Sequence, residues 1–92
     1  PLGRKLLLGN LLQQGSVCFD TETTDINSLN AALVGCAFSW EKGKGYYVLF
    51  PENRQEASGI LEEFRPFFEA EHIEKIGQNL KYDIKVLSNY NM

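Results

Sequence analysis

The chain carries one histidine, two cysteines, three prolines and one tryptophan among 92 residues. His72 alone cannot build a histidine site, and Cys18 and Cys36 lack the Cys-x-x-Cys spacing of a zinc-binding pair. A structural His/Cys metal centre is therefore excluded. Each thiol sits in an apolar stretch, which predicts reduced cysteines buried on strands. No apolar run approaches the ~20 residues of a membrane span. Gly9, Asn10, Gln13 and Gln14 interrupt the leucine-rich start, and it has no signal-peptide cleavage site. An excess of positive charge is missing too. Nine Lys+Arg against twelve Asp+Glu give a net charge of −3 and a pI near 5.1. Bulk charge thus argues against nucleic-acid binding unless metal ions or basic surface come from elsewhere.

What remains is ordinary globular material. Hydrophobic residues at 43% and charged residues at 23% sit near the averages of folded domains. The length allows one small domain. These features predict a soluble, intracellular domain or a piece of one.

Residues 1–3 read as a boundary remnant, and 4–92 as the folded part. A leucine-rich helix is expected over 5–14, ended by Gly15. Residues 17–20 form a short apolar run typical of a strand buried on both faces. Turn formers fill 21–30, and strands follow over 33–40 and 46–50, joined through Gly43 and Gly45 as an antiparallel hairpin. Ala57, Ile60, Leu61, Phe64 and Phe68 recur at helical spacing, with Pro66 imposing a kink or starting a second helix. A fourth strand is expected over 73–76, a turn at Gly77-Gln78, and a last helix over 80–90 with Asn79 as its N-cap.

If the first three strands form a meander, a right-handed crossover places the fourth beside the first and parallel to it, in the order 3-2-1-4. The carboxyl ends of strands one and four then lie side by side, where open α/β sheets hold their ligands. Asp20 and Glu22 end the first strand and project to one side. Carboxylates that close repel unless a cation intervenes, and Mg²⁺ or Mn²⁺ suits such oxygen ligands. On the last helix Leu80, Ile84 and Leu87 mark the expected buried arc, with Asp83 at its edge. An acid there needs a partner. It either rests on the helix dipole or faces Asp20 and Glu22 to complete a metal site.

Phe19-Asp20-Thr21-Glu22-Thr23-Thr24 resembles the first exonuclease motif of the DEDD superfamily of 3′–5′ exonucleases. Gly77-Gln78-Asn79-Leu80-Lys81-Tyr82-Asp83 resembles the second, in the form seen in the proofreading domain of bacterial family A DNA polymerases. The resemblance runs from about Leu6 to Met92 and includes Leu33-Val34-Gly35 and Tyr46-Tyr47. It implies a ribonuclease-H-like mixed α/β sheet and metal-dependent release of 5′-mononucleotides from a DNA 3′ end. On the family pattern Asp20, Glu22 and Asp83 are ligands of two divalent ions, Mg²⁺ or Mn²⁺. Thr23 and Ile26 meet the terminal nucleotide, Ile26 wedging against its base, and Gln78, Asn79 and Lys81 lie at the substrate backbone.

The pattern also requires a fourth carboxylate with a tyrosine shortly before it. Tyr90 does not serve, because no aspartate follows it. The expectation is an N-terminal part of the exonuclease domain, truncated before the fifth strand and inactive alone, with the rest of the exonuclease and the polymerase as partners in one parent chain. A fourth strand left at the sheet edge would invite self-association. Cytoplasmic proofreading during bacterial DNA replication and repair follows from the resemblance. The alternatives are a ribonuclease-D-like or helicase-associated exonuclease of the same fold, a vestigial domain that binds DNA or braces the polymerase, and a plain structural domain.

Overall fold

The computed structural model describes residues 2–24 and 32–90. Ile26, the expected base wedge, lies outside the described residues. The elements run α1 (Leu2–Leu11), β1 (Ser16–Thr23), β2 (Leu33–Glu41), β3 (Lys44–Leu49), α2 (Arg54–Glu63), α3 (Arg65–Phe68), β4 (Glu74–Ile76) and α4 (Leu80–Ser88). The strands form one sheet in the order β3-β2-β1-β4. β1 pairs antiparallel with β2 and parallel with β4, so the crossover through α2 and α3 has the expected effect. β4 is an edge strand. This is the mixed α/β sheet of a ribonuclease-H-like fold.

Strand parity decides which residues face the core. In β1, Val17, Phe19 and Thr21 are buried, whereas Ser16, Cys18, Asp20 and Glu22 are exposed. The strand is therefore half-buried, not buried on both faces, and only Cys36 of the two thiols is inside. Cys18 sits between two inward residues on a pleat of period two, so its apolar character masks an alternating strand. The inner face continues through Cys36 and Phe38 of β2 and Val48 of β3. Leu11, Ala57, Leu61, Phe64, Phe67, Ile73, Val86 and Leu87 join the same apolar cluster.

The helices follow their local signals with small shifts. α1 begins at Leu2, earlier than expected, and its last turn tightens through the Gln13 and Gln14 N–H groups. Asn53 caps α2 by accepting the Glu56 N–H at 2.9 Å. Pro66 falls in the first turn of α3, where its missing N–H costs nothing. α4 departs most from its apolar pattern. Its buried residues are Asp83, Val86 and Leu87, and Ile84 is 56% exposed. Polar anchors at both ends set its rotation. Asp83 bonds to Thr21, and the Tyr90 hydroxyl just beyond the helix accepts the Leu33 N–H at 2.9 Å.

Arg4 ties α1 to α2 through a two-pronged pair with Glu63, at 2.9 and 3.1 Å. Both groups reach solvent, Glu63 the more exposed of the two, so Glu63→Gln is expected to cost under about 1 kcal/mol. Urea unfolding at low and high salt checks this, the difference shrinking as salt rises. No described helix is long and apolar enough to cross a membrane.

Candidate active site

β4 stops at Ile76, opposite Cys18, so among the described residues the continuation of β1 from Phe19 to Thr23 has no strand on that side. Asp83 enters this gap. Its Oδ1 accepts the Thr21 hydroxyl at 2.6 Å and, more weakly, the Thr21 N–H at 3.4 Å. The side chain is buried, with the residue 1% exposed. Its Oδ2 has no hydrogen-bond partner among the described residues. Burial raises the Asp83 pKa, the two Thr21 bonds oppose that rise, and the nearby charge of Asp20 adds to it.

A glycine keeps this gap open. A Cβ on Gly77 would lie 3.0 Å from the Phe19 carbonyl oxygen and 3.5 Å from Asp83 Oδ2. The turn between β4 and α4 can thus press against the end of β1 only without a side chain. Sequence reasoning assigned Gly77 a turn role alone and gave Thr21 no role. The alternation of β1 is the signal that places Thr21 inward, between two outward acids.

The outer face of the sheet carries the other two acids. Asp20 lies opposite Ala37 and Glu22 opposite Gly35 across the β1–β2 pair. Asp20 lines a groove of about 620 Å³ together with Cys18, Ala37, Ser39, Ile76 and Gln78. Glu22 accepts a hydrogen bond from the Tyr47 hydroxyl at 3.1 Å. Partial burial and that bond to Glu22 raise the Tyr47 pKa, so the phenol stays a donor at neutral pH. Burial, reinforced by the charges of Asp83 and Asp20, pushes the Cys36 thiol well above its ordinary range. That sulfur remains an unionised core group.

The other expected site residues distribute as follows. Thr23 shares a 2.6 Å hydroxyl–hydroxyl bond with Tyr82 of the second motif. Asn79 occupies the N-cap position of α4, but its side chain makes no capping bond. Gln78 lines the groove beside Asp20, and Lys81 is exposed in the first turn of α4. Among the described residues no three acids, histidines or cysteines gather closely enough to hold an ion. Without an ion, Asp83 rests on Thr21 through its Oδ1. Three carboxylates repel one another, and the neutral donors of Thr21 offer Asp83 a better partner. The chemistry of the cluster still suits a hard divalent cation: the donors are all oxygens, and one buried carboxylate oxygen is orphaned.

Comparison with known proteins bears on the same residues. A family model described as 3′–5′ exonuclease matches residues 5–92, spanning both motifs. DNA polymerase I of Pseudomonas aeruginosa is 34% identical over 79 residues, covering 79% of this chain and 9% of the relative. DNA polymerase I of Borreliella burgdorferi is 31% identical over 86 residues, covering 90% of this chain and 9% of the relative. The chain thus spans about a tenth of the length of these curated relatives. With a family model matched over nearly its whole length, and with the sheet order and motif positions described above, the chain belongs to the 3′–5′ exonuclease family of DNA polymerase A.

Proposed function

We propose that this chain carries the first two carboxylate motifs of a metal-dependent exonuclease that removes 5′-mononucleotides from DNA 3′ ends, proofreading for a bacterial DNA polymerase in the cytoplasm during replication and repair. The observation that carries the reading is the orphaned, buried Asp83 oxygen at the open end of β1, flanked in sequence register by Asp20 and Glu22. Asp20, Glu22 and Asp83 hold Mg²⁺ or Mn²⁺ in this reading. The chemistry such ions would supply when bound is activation of the attacking water and stabilisation of the leaving 3′ oxygen. The protein's own residues set the geometry. Thr21 fixes the Asp83 rotamer through its hydroxyl bond, so that only Oδ2 is left to ligate. The groove beside Asp20 receives the terminal nucleotide, with Gln78, Asn79 and Lys81 along its backbone. Thr23, held by Tyr82, contacts the same nucleotide, and Ile26 wedges its base.

The remaining ligand and the basic surface for DNA come from the rest of the exonuclease and polymerase in one parent chain, and this segment alone does not cut. The test is mononucleotide release from a 3′-labelled single strand in Mn²⁺. It compares this chain, the parent polymerase, and the parent with Asp20→Ala. Cleavage by the unmutated parent alone is the expected result. Equal cleavage by the Asp20→Ala parent would remove the metal-ligand role, and no cleavage by either parent would favour a bracing domain.

A further inference from the structure

On the outer face of the sheet a tyrosine reaches across an entire strand to the catalytic end of β1. Tyr47 lies on β3 opposite Ala37, whereas Glu22 lies on β1 opposite Gly35. Cross-strand partners share a face, so Tyr47, Ala37, Gly35 and Glu22 stand on the same side, with β2 between donor and acceptor. The ring crosses that strand diagonally over Gly35. A Cβ there would meet the Tyr47 hydroxyl at 1.9 Å and the ring carbons Cζ and Cε2 at 2.2 and 2.8 Å. No side chain but hydrogen leaves room for the crossing. The hydroxyl then donates to Glu22 Oε2 at 3.1 Å.

From this geometry we infer that Tyr47 is a positioning residue that orients the Glu22 carboxylate, and that Gly35 is the slot that lets it do so. The inference rests on the exonuclease reading and adds to it a residue outside both motifs. An exposed glutamate at a strand end otherwise samples several rotamers. A single donated bond from a ring packed on the backbone fixes one oxygen and leaves the other for a ligand. Partners of this kind typically shift metal affinity or rate by 10–100-fold when removed. The alternative role for Tyr47 is simple cover for the sheet, which would need the ring but not the hydroxyl.

The experiment uses the parent polymerase and five variants: Tyr47→Phe, Gly35→Ala, the double variant of these two, and Glu22→Gln with and without Tyr47→Phe. Mn²⁺ affinity is read by electron paramagnetic resonance of the free ion, and kcat and KM by release from a 3′-labelled strand. Urea unfolding monitors the fold. Tyr47→Phe keeps the ring and is expected to weaken Mn²⁺ binding and lower kcat each about tenfold, with KM for DNA and the unfolding midpoint unchanged. Gly35→Ala swings the surface ring away and gives the same losses, and the double variant is no worse than either. In the Glu22→Gln background Tyr47→Phe has no further effect. Wild-type Mn²⁺ affinity and kcat in Tyr47→Phe would overturn the inference while leaving the exonuclease reading intact. A Glu22→Gln protein that binds Mn²⁺ and cuts like wild type would overturn both.

Discussion

Asp83→Asn is expected to abolish nucleotide release by the parent polymerase while making the metal-free fold more stable. The loss of release should be on the order of a thousandfold, because a ligand oxygen facing a doubly charged ion is replaced by a neutral amide. The gain in stability comes from the same atom. A buried carboxylate oxygen without a partner is destabilising, and the amide removes the charge while keeping an oxygen for the Thr21 hydroxyl. A gain of about 1 kcal/mol at neutral pH is expected. The pH dependence gives the sign independently. Burial raises the folded-state pKa of Asp83 above its ordinary value, so the folded protein holds this proton more tightly than the unfolded chain. Stability without metal therefore falls as pH rises from the ordinary carboxylate value through the raised one. The advantage of Asp83→Asn should be full above that window and should close below it. Urea midpoints of the two proteins in a chelator, across acid to neutral pH, check this. Adding Mn²⁺ should reverse the ranking, because only the wild type gains from a bound ion. Equal midpoints at every pH would show that Asp83 carries no strain.

Phe38→Ala is expected to cost about 3–5 kcal/mol, the range for truncating a fully buried phenylalanine. Phe38 is 2% exposed and lies at the centre of the inner face. It stacks on Phe64 with centroids 5.7 Å apart and meets Phe67 edge-on at 5.6 Å. Its removal would break the contact between the sheet and the crossover at the junction of α2 and α3. A domain of this size holds only about 5–10 kcal/mol in total, so most of it would be lost. The chemical-denaturation midpoint of the variant, or its failure to show a cooperative transition, reads the effect. A loss below about 1 kcal/mol would mean that the aromatic cluster repacks around the gap.

These predictions draw on different parts of the sequence. The order of elements was legible throughout, because each carries its own punctuation: Asn53 and Pro66 at helix starts, Gly43 with φ 81° in the hairpin turn, β-branched and aromatic residues in the strands. The 3-2-1-4 sheet followed from connection lengths and handedness, which restrict short chains to few topologies. The two motifs were legible as residue types, and the family match covers them both.

The facing of side chains was not legible to the same degree. Cys18 was misplaced because hydropathy cannot distinguish an outward cysteine from an inward one when both neighbours are apolar. The rotation of α4 was misjudged because its apolar pattern points to Ile84, while polar bonds at Asp83 and Tyr90 turn the helix otherwise. Those bonds join residues about sixty positions apart, and no local rule contains them. Glu22 shows the same division. Its identity and strand position are local, but the tyrosine that holds it lies two strands away, across a glycine whose purpose is visible only once the strands are in register. Sequence alone thus determined which carboxylates this chain carries and the sheet that bears them. The tertiary structure decided which oxygens are buried, which are bonded and which is left open, because burial and long-range hydrogen bonding exist only after the strands and helices have packed.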